Sequence, residues 1–388
     1  MFSKIVVLGA GNGGLAMAAD LSMAGYKVNL FDLPEFSKNL EPVIEKGGID
    51  VLARTALEEE FQLPGGGKTG FAKITGKITS NIREAMDGVD LIMLVVPAYG
   101  RERFIKEFAP YLQDGQIMII WPGNFGAIQC LKILKDMNIN KKITICETES
   151  LIYACRKLGP SQIWIKNKKE KLLLAVLPSK RITEILKELN KIYPQLKPAN
   201  NVLETTLANP NVLMHPQSIL LNLYRVERKF YPYFEGVVGP LEGVGGPMYD
   251  NYDITPGMAN VMEAVDRERR SLGERLGLKI ESFKDTLQAF YGGKEKNLYE
   301  TILNCKTYKT QFSPTSLNHR YILEDVPFGL VPFALLGDQI KVSTPTTRAM
   351  AEIGCAVTGK DFWNLGLTME KLGINNMNTK EINEYIES

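Results

Sequence analysis

Residues 4 to 32 read KIVVLGAGNGGLAMAADLSMAGYKVNLFD, and no other stretch constrains the fold so tightly. An apolar run rich in β-branched residues leads into a glycine turn, a helical pattern that stops at Gly25, and a second apolar run that closes on Asp32. That succession is a βαβ unit. Gly9, Gly11 and Gly14 form GxGxxG between the strand and the helix. There the backbone of the turn, Asn12 and Gly13 included, and the positive end of the helix dipole can receive a pyrophosphate that larger side chains would block. Asp32, at the end of the second strand, is placed to accept hydrogen bonds from adenosine ribose hydroxyls. The unit predicts a bound dinucleotide.

A carboxylate at this position repels a 2′-phosphate and no arginine follows in LPEFSK, so NAD is favoured; Lys38 keeps NADP open. The run GGGKTG, residues 65–70, imitates the tail of a phosphate loop but has Gln62 where that motif needs glycine, and is read as a flexible turn. The strand-helix rhythm returns in DLIMLVV, QIMIIW and KITICET. The expected fold is therefore α/β, an N-terminal Rossmann doubly wound parallel sheet over residues 1–195. Ligands of such sheets lie beyond the carboxyl ends of the strands, which points to Pro97 and Ala98 in VPAYG, Asn124 in PGNFG, and ETES. The proline-bearing stretch IYPQLKPANN, residues 192–201, is the expected linker to a mostly α-helical domain over 196–388. In that domain Thr255 and Pro256 open a helix whose apolar stripe runs from Met258 to Leu276.

Forty-six basic and forty-four acidic residues are dispersed along the chain, so nucleic acid and anionic membrane are not expected partners, whereas small molecules are. The first apolar stretch is broken by four glycines and has no basic leader, so a cytoplasmic protein is expected. Five cysteines without a CxxC pair read as reduced thiols, and no metal site is expected. The sequence leaves oligomeric state undecided, a homodimer included.

Only two histidines occur, His215 and His319. Hydride transfer to a carbonyl or imine needs a proton donor, and a histidine oriented by a carboxylate suits that work near neutral pH. The apolar stretch HRYILEDVPFGLVPFALLG supplies Arg320, Glu324 and Asp325, charges that demand partners if buried. On composition alone His215 is as readily a structural histidine as a proton carrier, and Glu324 is as good an acid as Asp325. His319 reads as a surface or supporting group.

Several stretches in order, GAGNGGLAMAADL, VVPAYG, PGNFGA, ETESLIYACR, LANPNVLMHP, MEAVDRER and RYILEDVPFGLVPFALLG, resemble the octopine and nopaline dehydrogenase family, the NAD(P)-dependent opine dehydrogenases. The resemblance covers nearly the whole chain. It implies a Rossmann domain joined to a helical octopine-dehydrogenase domain, with substrates between them. It also implies an acid/base dyad of His215 and Asp325, carboxylate binding by Arg320, and positioning of substrate or of the histidine loop by Asn209 and Asn211. The reaction implied is NAD(P)H-dependent reductive condensation of an amino acid, or another amine, with a 2-oxo acid to an N-(1-carboxyalkyl) amino acid. Two features depart from the family pattern: Val212 stands where proline is frequent, and residues 237–254, VVGPLEGVGGPMYDNYDI, form an insertion that puts amine specificity in doubt. Two other readings remain. One is a plain 2-oxo acid reductase of the ketopantoate reductase or glycerol-3-phosphate dehydrogenase type; the other is a non-catalytic NAD sensor.

Overall fold

The computed structural model describes residues 2–55, 58–228, 254–310, 314 and 316–387. The insertion at 237–254 therefore lies, apart from Ile254, outside the described residues. Contacts divide the chain into two units, Met1–Thr206 with Glu384–Ser388, and Leu207–Asn383.

The first unit carries strands β1 (Lys4–Leu8), β2 (Lys27–Phe31), β3 (Gly48–Ala53), β4 (Gly70–Lys73), β5 (Ile78–Thr79), β6 (Leu91–Leu94), β7 (Ile117–Ile120), β8 (Thr144–Thr148), β9 (Tyr153–Gly159), β10 (Gln162–Lys168), β11 (Leu172–Leu177) and β12 (Leu196–Pro198). Eight of them form one sheet in the order β12-β11-β8-β7-β6-β1-β2-β5. It is parallel except where β11 runs against β8. β6 and β7 read as unbroken apolar runs because every residue in them is buried, the signature of a sheet covered on both faces. The chain builds outward from β1 through β2, then returns to the other side of β1 as β6. The strand order thus reverses between β1 and β6, and the loops after these two strands, residues 9–11 and 95–97, flank the switch point where dinucleotides bind.

A second sheet, β4-β3-β10-β9, is a feature the sequence analysis did not anticipate. The helix Asn12–Met23 packs against strands of both sheets, and Gly14 to Leu21 are all buried. The GGGKTG run is held rather than free: the Gly65 amide donates to both oxygens of Asp20, at 3.1 and 2.9 Å, and Thr69 Oγ1 accepts from the Ala53 amide at 3.0 Å. The proline-bearing stretch near residue 196 is also built in, since β12 pairs with β11; the division of the chain falls after Thr206 instead.

Among its described residues, the second unit is helical. Its longest helix, Pro256–Arg275, is capped by Thr255, whose hydroxyl accepts from the Met258 amide at 3.2 Å. The helix Asn211–Leu220 packs against it, against Pro345–Thr358, and against the segment that runs from the short helix Arg320–Leu323 through a π-helical turn, Val326–Leu330, into Val331–Ile340. Val212 fits closely there, since a Cβ on Gly329 would lie 2.6 Å from a Val212 methyl. No described helix is long and apolar enough to cross a membrane.

Candidate active site

The glycine turn is shaped for close approach. Gly9 has φ +104°, and a Cβ there would lie 2.6 Å from the Val95 carbonyl oxygen. A Cβ on Gly14 would lie 1.8 Å from the Gly9 carbonyl oxygen, so neither position accepts a larger residue. Gly11 faces open space and precedes a helix that has no side-chain cap. That combination, amides at a helix start beside an unobstructed backbone, fits a pyrophosphate.

Asp32 is buried, with Oδ2 accepting from the Ala10 amide at 3.2 Å and from Asn39 Nδ2 at 3.1 Å, and Oδ1 from the Leu33 amide at 3.0 Å. Burial raises its pKa while these donors lower it. Asn39 was not expected in this role; it lies in the 3₁₀ turn Pro34–Asn39 just past the strand. Asn12 turns its side chain to the second sheet, its Oδ1 accepting from the Lys157 amide at 2.6 Å, so this residue secures the turn. Gly13 packs against Leu151 and Val95.

Pro97 ends the loop after β6 and Ala98 opens the helix Ala98–Phe108. In the PGNFG loop, Asn124 and Phe125 adopt φ of 51° and 62°. Arg101 holds this loop from behind, its guanidinium donating to the carbonyls of Gly123 and Asn124. The buried Glu147 completes the support: its carboxylate accepts from the Ala127 amide and from the hydroxyls of Thr205 and Thr206, each at 2.8 Å. Asn124 is itself buried. Arg101 and the two threonines were not expected here, and Glu147 was singled out only as part of ETES, because the four residues lie on three separate elements, Ala98–Phe108, Thr144–Thr148 and Val202–Leu207, that only the folded chain brings together.

In the second unit, Asn209 and Pro210 start the helix that carries the histidine. Asn209 Oδ1 accepts from the Asn211 amide at 3.0 Å, a local turn that sets the helix entry. Asn211 is the first residue of that helix. His215 Nδ1 lies 2.7 Å from Asp325 Oδ2, both side chains being nearly sealed from solvent. Glu324 bonds elsewhere, to Arg320 at 3.2 Å. Burial pushes the Asp325 carboxyl up to about 7, with the Arg320 guanidinium pulling the other way. The Arg320 side chain remains 40% exposed. His319 caps the short helix, its Nδ1 accepting from the Tyr321 amide at 3.3 Å, and has no place in the His215–Asp325 pair. Tyr321, to which the sequence analysis gave no role, lies flat against the His215 ring. Its place in the RYILED stretch was the available signal.

Both halves of this arrangement have counterparts among known proteins. The family model for the NAD/NADP octopine/nopaline dehydrogenase α-helical domain matches residues 198–358, and that for the NAD binding domain of 6-phosphogluconate dehydrogenase matches residues 4–138. An opine dehydrogenase from Arthrobacter sp. (strain 1C) is 32% identical over 98% of each chain. The Protein ocs of Agrobacterium tumefaciens (strain Ach5) is 22% identical, again over 98% of each. Among solved structures, octopine dehydrogenase with NADH and L-arginine has the same fold, with a TM-score of 0.75 at 20% identity, covering 98% of this chain and 97% of that one. Yersinopine dehydrogenase with NADP+ bound gives 0.67 at 15%, covering 100% and 98%. A glycine turn fit for a dinucleotide, a helical unit that the octopine/nopaline domain matches, and a full-length relative at 32% identity lead to one assignment: this chain is a member of the opine dehydrogenase family, an NAD(P)-dependent oxidoreductase.

Proposed function

We propose that the chain condenses an amino acid, or another amine, with a 2-oxo acid such as pyruvate and reduces the resulting imine to an N-(1-carboxyalkyl) amino acid, and that it runs the reverse oxidation. The observation that carries this reading is the buried 2.7 Å bond between His215 and Asp325, with Arg320 five residues before the acid. Asp325 fixes the imidazole with Nδ1 toward the carboxylate, so proton exchange with substrate runs through Nε2.

In the forward direction the amine nitrogen attacks C2 of the oxo acid, and the His215 imidazolium gives its proton to the carbinolamine oxygen, which leaves as water. The C–O bond breaks as the nitrogen lone pair forms the C=N bond. Arg320 suits the substrate carboxylate because a guanidinium binds planar anions through paired donors; its Nη1 donates to Glu324, and the side chain as a whole is 40% exposed. Gly9, Gly11, Gly13 and Gly14 with Asp32 would hold the nicotinamide dinucleotide, which when bound supplies the hydride to the imine carbon. Asn209 and Asn211 set the entry of the helix that presents His215.

NADH oxidation by the purified protein with an oxo acid alone, an amine alone, and a crossed panel of both tests the reading. Turnover only when both are present is the expected result; equal turnover with the oxo acid alone would identify a plain reductase. His215→Asn is expected to lose at least about 100-fold in kcat, with NADH binding, followed by nicotinamide fluorescence, nearly unchanged. Loss of both together would mean that His215 is structural.

A further inference from the structure

Tyr321 and His215 stack with ring centroids 3.6 Å apart and planes 16° from parallel. Carbon atoms in contact sit about 3.5–4.0 Å apart, so this spacing leaves the rings almost no lateral offset. Neutral aromatic pairs avoid such a face-to-face sandwich, preferring offset or edge-on arrangements at about 4.5–7 Å. A cation over a ring face is the opposite case, drawn to the negative centre of the π system. Both rings are buried, Tyr321 at 4% exposure and His215 at 7%, so solvent screens the contact little.

We infer that Tyr321 is a positioning residue for the proton transfer, its π face holding the His215 ring parallel and favouring the imidazolium that gives its proton to the departing water. The inference rests on the condensation reading above. Tyr321 is itself fixed by its neighbours: His319 meets its ring edge-on at 4.5 Å and accepts its backbone amide. Asp325 on Nδ1 also favours the charged ring. Arg320 opposes it, lying 5.2 Å from the Tyr321 centroid, but is ion-paired with Glu324. Charges on the other elements packed against the histidine helix are mostly matched locally. Asp266 pairs with Arg269 and Arg348 with Asp338, and the following helix Leu223–Arg228 adds the half-buried Arg225.

The chain holds two histidines, so their carbon and nitrogen resonances can be followed by NMR without any need for turnover. Three proteins are compared: the natural chain, Tyr321→Phe, and a chain with pentafluorophenylalanine in place of Tyr321. The fluorinated ring keeps the shape of phenylalanine but inverts the charge distribution over its face. Tyr321→Phe is expected to leave the His215 titration where it was. The fluorinated ring is expected to lower it by about one pH unit, and the pH at which condensation falls off should drop with it. Identical titrations in the phenylalanine and fluorinated proteins would overturn the inference, leaving Tyr321 a packing residue. If the natural chain consumes NADH with no pair of amine and oxo acid, the condensation reading fails whatever the rings do. If it turns over while the fluorinated ring moves neither titration nor rate profile, only this inference fails.

Discussion

Glu324 and Asp325 are adjacent in the chain and nearly equivalent chemically, yet one secures Arg320 and the other secures His215. One step along a helix rotates the side chain by roughly 100°, enough to send the two carboxylates to different partners. Their substitutions should therefore separate. Asp325→Asn is expected to lower kcat by about 10²–10⁴-fold, because the amide no longer fixes the tautomer or stabilises the imidazolium. Glu324→Gln loosens Arg320 and is expected to raise KM for the oxo acid several-fold with a smaller change in kcat. Steady-state kinetics distinguishes them, and equal loss of kcat in both would contradict the division of roles. At this scale composition supplied candidates without ranking them: nothing in it prefers Asp325 to Glu324, and it was the family resemblance that chose Asp325, while Tyr321 drew no notice because its partner lies far away in the chain.

The helix Asn12–Met23 illustrates what can be read from an element. It has no polar face: the sequence GLAMAADL is apolar almost throughout, and such a helix must be covered on more than one side. That was a signal for the second sheet. The strands themselves were harder to read because they are short and pair across long separations, Asp50 lying opposite Gln162. The one acid in this helix, Asp20, is fully buried, and accepts from the Gly65 amide and from the Tyr153 hydroxyl at 2.8 Å. Burial raises its pKa from 3.8 to about 6 despite these donors. The folded state thus holds a proton on Asp20 that the unfolded chain releases earlier. This contribution is full below about pH 4 and is lost as pH rises toward 6, amounting to about 3 kcal/mol. Denaturant titrations between pH 4 and 7 should show that decline in the natural chain and a flatter profile in Asp20→Asn. An unchanged slope in the variant would assign the effect to another group.

Across the whole molecule, the last helix, Thr379–Tyr385, runs into residues that return to the first unit. Ile382 counts with the second unit and Ile386 with the first, and both are buried. Glu387 accepts from the Ser179 amide at 3.0 Å, and Lys135 lies 4.3 Å from the Tyr385 ring centroid. Ile386→Ala should therefore destabilise the dinucleotide-binding unit by about 2–5 kcal/mol, whereas Ile382→Ala acts on the helical unit. Calorimetry with and without NADH reads this: the transition that NADH raises should fall in the first variant and hold in the second. A single transition lowered equally by both would show that the two units unfold together.

The βαβ start, the glycine turn, Asp32 and the helical character of the second unit are legible in the order of residues, because they follow from local periodicity and from backbone geometry that only glycine tolerates. Through its likeness to one family the sequence also named His215 and Asp325. What only folding brings about is the contact itself: that Asp325 meets the imidazole while Glu324 turns to Arg320, that Tyr321 lies flat against that ring, and that Arg101 and Glu147 brace the PGNFG loop. These are contacts between side chains distant in sequence, and their burial sets charge and proton affinity that no local pattern encodes.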